Sequence, residues 1–170
     1  NTHKWVLILI FIAVLCRVPL LSQLPRWDSG EYYYRLILGT HHFEYTGFKE
    51  FVENYALCGH PTLGFCLVYL PGELAFSQEV IGVTLTSLIL TALALWCVYR
   101  IFLKILPQVT EGKAAVCTFL LSFSPLFFGM TMYFNPDYAL AVFFIFLLYS
   151  YVYDKAVLAA FFSLLCFQTK

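Results

Sequence analysis

The stretch VIGVTLTSLILTALALWCVYRIFL, Val80 to Leu103, decides the fold. It runs for 24 residues with Arg100 as its only charge. A helix needs ~20 apolar residues to cross ~30 Å of hydrocarbon, so this segment reads as a membrane span. Working outward, residues 114–132, 138–153 and 156–168 read as three further spans, and 5–24 as the first. A cleaved signal peptide is the other reading of 5–24, because a short basic start precedes an apolar core. No small-x-small cleavage site follows it; the run leads into Arg17-Val18-Pro19 and Pro25-Arg26-Trp27, which favours a retained helix. The expected fold class is therefore all-α and integral to the membrane, with about five transmembrane helices.

Composition agrees with that solvent. The chain is 61% hydrophobic, 19% aromatic and 12% charged, with a mean hydropathy of +0.80, far from the balance of a soluble domain. Formal net charge is zero, so no basic surface invites nucleic acid. The chain begins at Asn1 and stops at Lys170 straight after an apolar run, and it reads as a piece of a longer membrane protein. Six cysteines, at 16, 58, 66, 97, 117 and 166, fall mostly inside apolar spans, where they serve as small hydrophobes. Cys58 and Cys66 share one loop segment and are candidates to pair. Zinc-finger spacings, P-loops and the GxGxxG and GxSxG patterns are absent.

Residues 25–79 form an outer segment of mixed character. Phe48, Phe51, Val52 and Tyr55 recur at helical spacing, with Lys49, Glu50, Glu53 and Asn54 opposite. Pro61 to Leu74 is apolar, short and interrupted by Gly64, Pro71 and Gly72. Both are expected as amphipathic helices lying at the membrane surface. With the N-terminus cytoplasmic, the inner side holds Lys4, Arg100, Lys104, Lys113 and Lys155 against Glu111 and Asp154. The outer side holds five bases against eight acids. Basic excess on short inner connections favours this orientation.

Three polar groups fall on the outer face. Asp28-Ser29-Gly30-Glu31 lies in WDSGEYYY, Trp27 to Tyr34, and a helical turn would place both carboxylates on one side. The same residues suit an N-cap and capping box, and the two readings carry equal weight on local pattern alone. Asn135-Pro136-Asp137 forms a short turn before the fourth span; proline at a helix start and an acid in its first turn are structural devices too. A charge at membrane depth nevertheless points to a cavity or a path, and two acids at one level could hold a divalent cation or a sugar. His60, in Gly59-His60-Pro61, is more often an ordinary surface histidine. The His41-His42 doublet is a weaker candidate still. Lys170 is placed either to meet a lipid phosphate or to snorkel at a helix end.

The order of elements resembles a known family. A first helix ends in WDSGEYY, and a loop segment ends in GHPTLGFCLVYLPGELAFSQEVIGV. Two spans lead to an NPD turn, and another pair ends in FQTK. This resembles the N-terminal part of a GT-C membrane glycosyltransferase, of the branch holding protein O-mannosyltransferases and bacterial aminoarabinose transferases, with the C-terminal remainder absent. His60-Pro61 stands where Lys-Pro or Pro-Pro is common, Phe76 to Glu79 replaces a glycine turn, and Ser29 replaces an acid.

The resemblance implies inverting transfer of a sugar from a polyprenyl-phosphate carrier to a hydroxyl on a lipid, glycan or protein acceptor. The active face would be extracytoplasmic, and a bacterial plasma membrane is the expected location. It implies Asp28 as the catalytic base, with Glu31, His60, Asp137 and Lys170 binding substrate. It also implies Asp28 and Asp137 as candidate ligands of a divalent cation, magnesium or manganese. A transporter fragment and a noncatalytic membrane scaffold are the alternatives. Transport would call for polar groups or broken helices at the midplane, and spans two to four show little beyond Thr84, Thr86, Ser87, Thr91 and Ser122.

Overall fold

The computed structural model describes residues 3–20, 33, 63–76, 80–131 and 136–169. Among the described residues there are seven α-helices and no strand: α1 (His3–Leu15), α2 (Leu63–Phe76), α3 (Val80–Ile105), α4 (Glu111–Ser122), α5 (Pro125–Thr131), α6 (Pro136–Val152) and α7 (Ala156–Phe167). A 3-10 turn, Val18–Leu20, follows α1. The all-helical class read from the sequence is thus observed.

Helix α3 is the axis. Val83, Ser87, Thr91 and Ala94 bury one of its faces, where Phe65, Tyr69 and Leu70 of α2 and Tyr138, Val142, Phe143 and Phe146 of α6 complete one core. Leu95 and Tyr99 bury an adjacent face against Val6, Ile10 and Ala13 of α1 and Ala114 and Ala115 of α4, forming a second core. Helix α7 packs on α6 at the edge through Phe162 against Phe146, ring centroids 5.1 Å apart, and none of its residues is buried.

The helix ends follow local chemistry. Proline fixes φ and pushes the preceding residue out of the α region, so Pro19 stops α1 early. Consequently α1 is shorter than the span expected over 5–24. Pro125 does the same in the expected span 114–132, which is two helices, α4 and α5, bent by 64°. The Thr110 hydroxyl caps α4 by accepting from the Lys113 N–H, and Glu111 favours the positive end of the helix dipole. At the far end of α6 the Lys155 N–H donates to the Ser150 carbonyl and the Asp154 N–H to that of Tyr151. This is a Schellman closure with Asp154 at φ 54°.

Helix α2 differs most from expectation. It is not a surface helix: Phe65, Cys66, Tyr69 and Glu73 are fully buried, and Pro71 sits inside the helix. Its glycines explain the packing. A Cβ on Gly72 would lie 2.6 Å from the Gly82 carbonyl oxygen, so the backbones of α2 and α3 nearly touch there. Such close approach is available only to small residues. The other expected surface helix, around Phe48 to Tyr55, and the Cys58 half of the suggested cysteine pair lie outside the described residues. By length and composition, one described helix, α3, could cross a membrane alone; α4 with α5 makes a second if the bent pair is one span.

Candidate functional site

One end of the bundle holds a buried charge. Arg17 lies there, two positions after the end of α1, and its side chain is fully buried. Arg17 Nε donates to Thr131 Oγ1 at the end of α5, 2.8 Å away. Nη1 donates to the Ala13 carbonyl of α1 at 2.6 Å, and Nη2 donates to the Ser122 carbonyl at the end of α4. The guanidinium also lies over the Phe128 ring, 4.4 Å from its centroid. Carbonyls at helix C-termini carry partial negative charge, so the helix ends offset the buried cation that they surround.

A hydroxyl network lies in the core shared by α2, α3 and α6. The Tyr138 hydroxyl of α6 donates to the Ser87 carbonyl of α3 at 2.9 Å and lies 2.6 Å from Thr91 Oγ1. Thr91 donates to the same carbonyl at 2.8 Å, and Tyr69 of α2 meets Ser87 Oγ at 3.1 Å. Glu73, one turn beyond Tyr69, is fully buried in α2. These neutral hydroxyls tie α2, α3 and α6 together inside the apolar core, and each tie is worth roughly 1 kcal/mol.

Asp137, in the first turn of α6 beside Tyr138, is exposed. Asp28, Glu31, His60 and Lys170 lie outside the described residues. Their described chain neighbours are informative. Tyr33, five positions after Asp28, is buried in the same core as Tyr138, the neighbour of Asp137. The Gly64 N–H, four positions after His60, donates to the carbonyl of Gln168, two positions before Lys170, at 3.1 Å. A Cβ on Gly64 would fall 2.9 Å from the Gln168 Cβ, so glycine permits this contact.

The chain matches no protein-family profile, no curated protein and no solved structure.

Among the described residues, no three His, Cys, Asp or Glu side chains cluster where they could hold a metal ion. Asp137 is the only described member of the carboxylate pair read as metal ligands. Neither Arg17 nor the Tyr138 network was anticipated from sequence. Arg17 reads there as a charge at a helix end, since its partners Ser122 and Thr131 lie 105 and 114 positions away. The useful signal was the run Arg17-Val18-Pro19 itself, a cation placed where a helix is forced to stop.

Proposed function

We propose that this chain is part of an inverting, polyprenyl-phosphate-dependent glycosyltransferase of the GT-C type, embedded in a membrane by about five spans. Two features support a membrane setting. Large apolar side chains face outward on several helices, including Trp5, Leu126, Val157 and Phe167, each about two thirds exposed or more. Soluble monomers rarely leave apolar surface so extensive. Meanwhile Arg17, Ser87 and Thr91 are turned inward and hydrogen-bonded, as a hydrocarbon surrounding requires.

The observation that carries the site is the shared core of Tyr33 and Tyr138. Tyr33 follows Asp28 by five positions and Tyr138 is next to Asp137 in the chain, which supports the two acids serving one site. In this reading Asp28 takes the proton of the acceptor hydroxyl as that oxygen attacks the sugar. A single base suffices for an inverting displacement without a covalent intermediate. The leaving phosphodiester carries negative charge and needs electrostatic stabilisation, for which His60 and Lys170 are the candidates. Arg17 is excluded from that task, because its donors hold helix ends. Magnesium or manganese would supply further charge stabilisation at the phosphate if bound. The described residues do not form a site for either ion, and no step depends on one.

Transfer of labelled sugar from a polyprenyl-phosphate donor, in membranes carrying the full chain, tests the assignment. Asp28→Asn should lower the rate by about 10²–10⁴-fold. Unchanged activity would remove Asp28 from catalysis.

The bend between α4 and α5 favours a second reading, transport, since broken helices with exposed ends mark binding sites in transporters. Here the broken end is filled by Arg17 and not left open to a substrate, which is why transfer is preferred. Uptake of a solute by reconstituted vesicles, without sugar transfer, would reverse that preference.

A further inference from the structure

At the end of the bundle opposite Arg17, a belt of aromatic and basic side chains surrounds α3. Arg100 Nε donates to the Tyr153 hydroxyl at 3.3 Å, and that hydroxyl donates to the Arg100 carbonyl at 3.0 Å. The guanidinium lies over Trp96 as well. His3 meets both Trp96 and Tyr99 edge-on, and Tyr149 packs at a tilt on Tyr153 with ring centroids 4.7 Å apart. Trp and Tyr gather in this way at the headgroup level of a bilayer.

A groove of about 460 Å³ opens at the turn between α6 and α7, next in sequence to the belt residues Tyr149 and Tyr153. Its lining carries the adjacent opposite charges Asp154 and Lys155, both exposed, beside Val152, Ala156 and Ala159, and the Lys155 ammonium lies over the Tyr149 ring, 5.2 Å from its centroid. Beyond it, Val157, Phe161 and Leu164 form an exposed apolar stripe at helical spacing along α7. From Val157 to Phe167 that helix rises ~15 Å, about half the hydrocarbon thickness.

We infer that this groove holds a zwitterionic aminophospholipid, with Lys155 on its phosphate, Asp154 on its primary ammonium and an acyl chain along the α7 stripe. Charge complementarity selects this occupant. A purely anionic headgroup would meet the Asp154 carboxylate, and a quaternary ammonium has no N–H to donate to it. The inference rests on the membrane reading and is independent of the transferase chemistry.

The test uses the full chain purified in mild detergent and equilibrated with mixed micelles of phosphatidylcholine and phosphatidylethanolamine, then with phosphatidylglycerol in place of the former. Co-purifying lipid is quantified by mass spectrometry. Phosphatidylethanolamine should be enriched about three-fold over each competitor, the size of effect one exposed ion pair supplies. Asp154→Asn keeps a residue that tolerates the left-handed backbone; it should abolish that enrichment over phosphatidylcholine. Lys155→Gln should lower retention of both of these lipids. No enrichment, a preference for phosphatidylglycerol, or enrichment unchanged in Asp154→Asn would overturn the site. Release of the chain from membranes by alkaline carbonate would overturn the membrane reading and this site together. Membrane retention without lipid preference would overturn the site alone.

Discussion

Arg17 is the point where the ends of three helices are tied. Its guanidinium reaches Ala13, Ser122 and Thr131 at once, and no uncharged side chain can replace donors that diverge in three directions. Arg17→Met would leave carbonyls of α1 and α4 without that donor, at a cost of about 3 kcal/mol. For a chain of this size that corresponds to a fall of roughly 6–12 °C in Tm, measured on the protein in detergent. Lysine should rescue only part of the loss, because an ammonium lacks the planar fork and stacks less well on Phe128. A Tm within ~2 °C of the parent for Arg17→Met would show that the helix ends do not depend on this side chain. The sequence reveals the charge and the proline two positions later. It does not reveal burial, since the acceptors come from helices more than a hundred positions along the chain.

At the scale of elements, the seam between α2 and α3 rests on two glycines in backbone contact, Gly72 and Gly82. Adding one methyl group there forces the helices apart, and overpacking of this kind costs about 1–3 kcal/mol. Gly72→Ala should therefore lower the unfolding midpoint. Gly112, in the first turn of α4, has open space around its Cβ position, so Gly112→Ala should raise stability by roughly 0.5–1 kcal/mol. Thermal unfolding of the two variants side by side checks both signs; equal effects would mean that the seam is not close-packed. The glycines of α2 are plain in the sequence, yet with Pro71 they read there as breaks in a surface segment. Local propensity penalises glycine and proline in a helix, and only contact with α3 offsets that penalty. The bend between α4 and α5 shows the opposite case. Pro125 could have been taken as a break from the sequence, because the steric conflict of proline with the preceding residue is purely local.

For the whole molecule, the distribution of apolar surface decides between a buried bundle and one bathed in lipid. Cys117 offers a direct probe, being exposed midway along α4 between Val116 and Leu120, which are also exposed. In intact membranes a charged, membrane-impermeant maleimide should fail to label a variant that keeps Cys117 as its only cysteine. Labelling should appear once the bilayer is dissolved and the chain unfolded. Rapid labelling in the intact membrane would place this face in water and count against a lipid-embedded bundle. The transferase assignment stands or falls separately, on Asp28→Asn.

Helix content and the central position of a long apolar segment follow from local order along the chain. Apolar runs, prolines and charges act on their immediate neighbours, so their effects are legible from the residue order. The tertiary structure alone decided that α2 is core, that Arg17 is a buried hub, and that Tyr33 shares a core with Tyr138 while Gly64 meets Gln168. Each of these depends on backbones and side chains brought together from distant positions, where a small difference in free space or one accepting carbonyl determines the outcome.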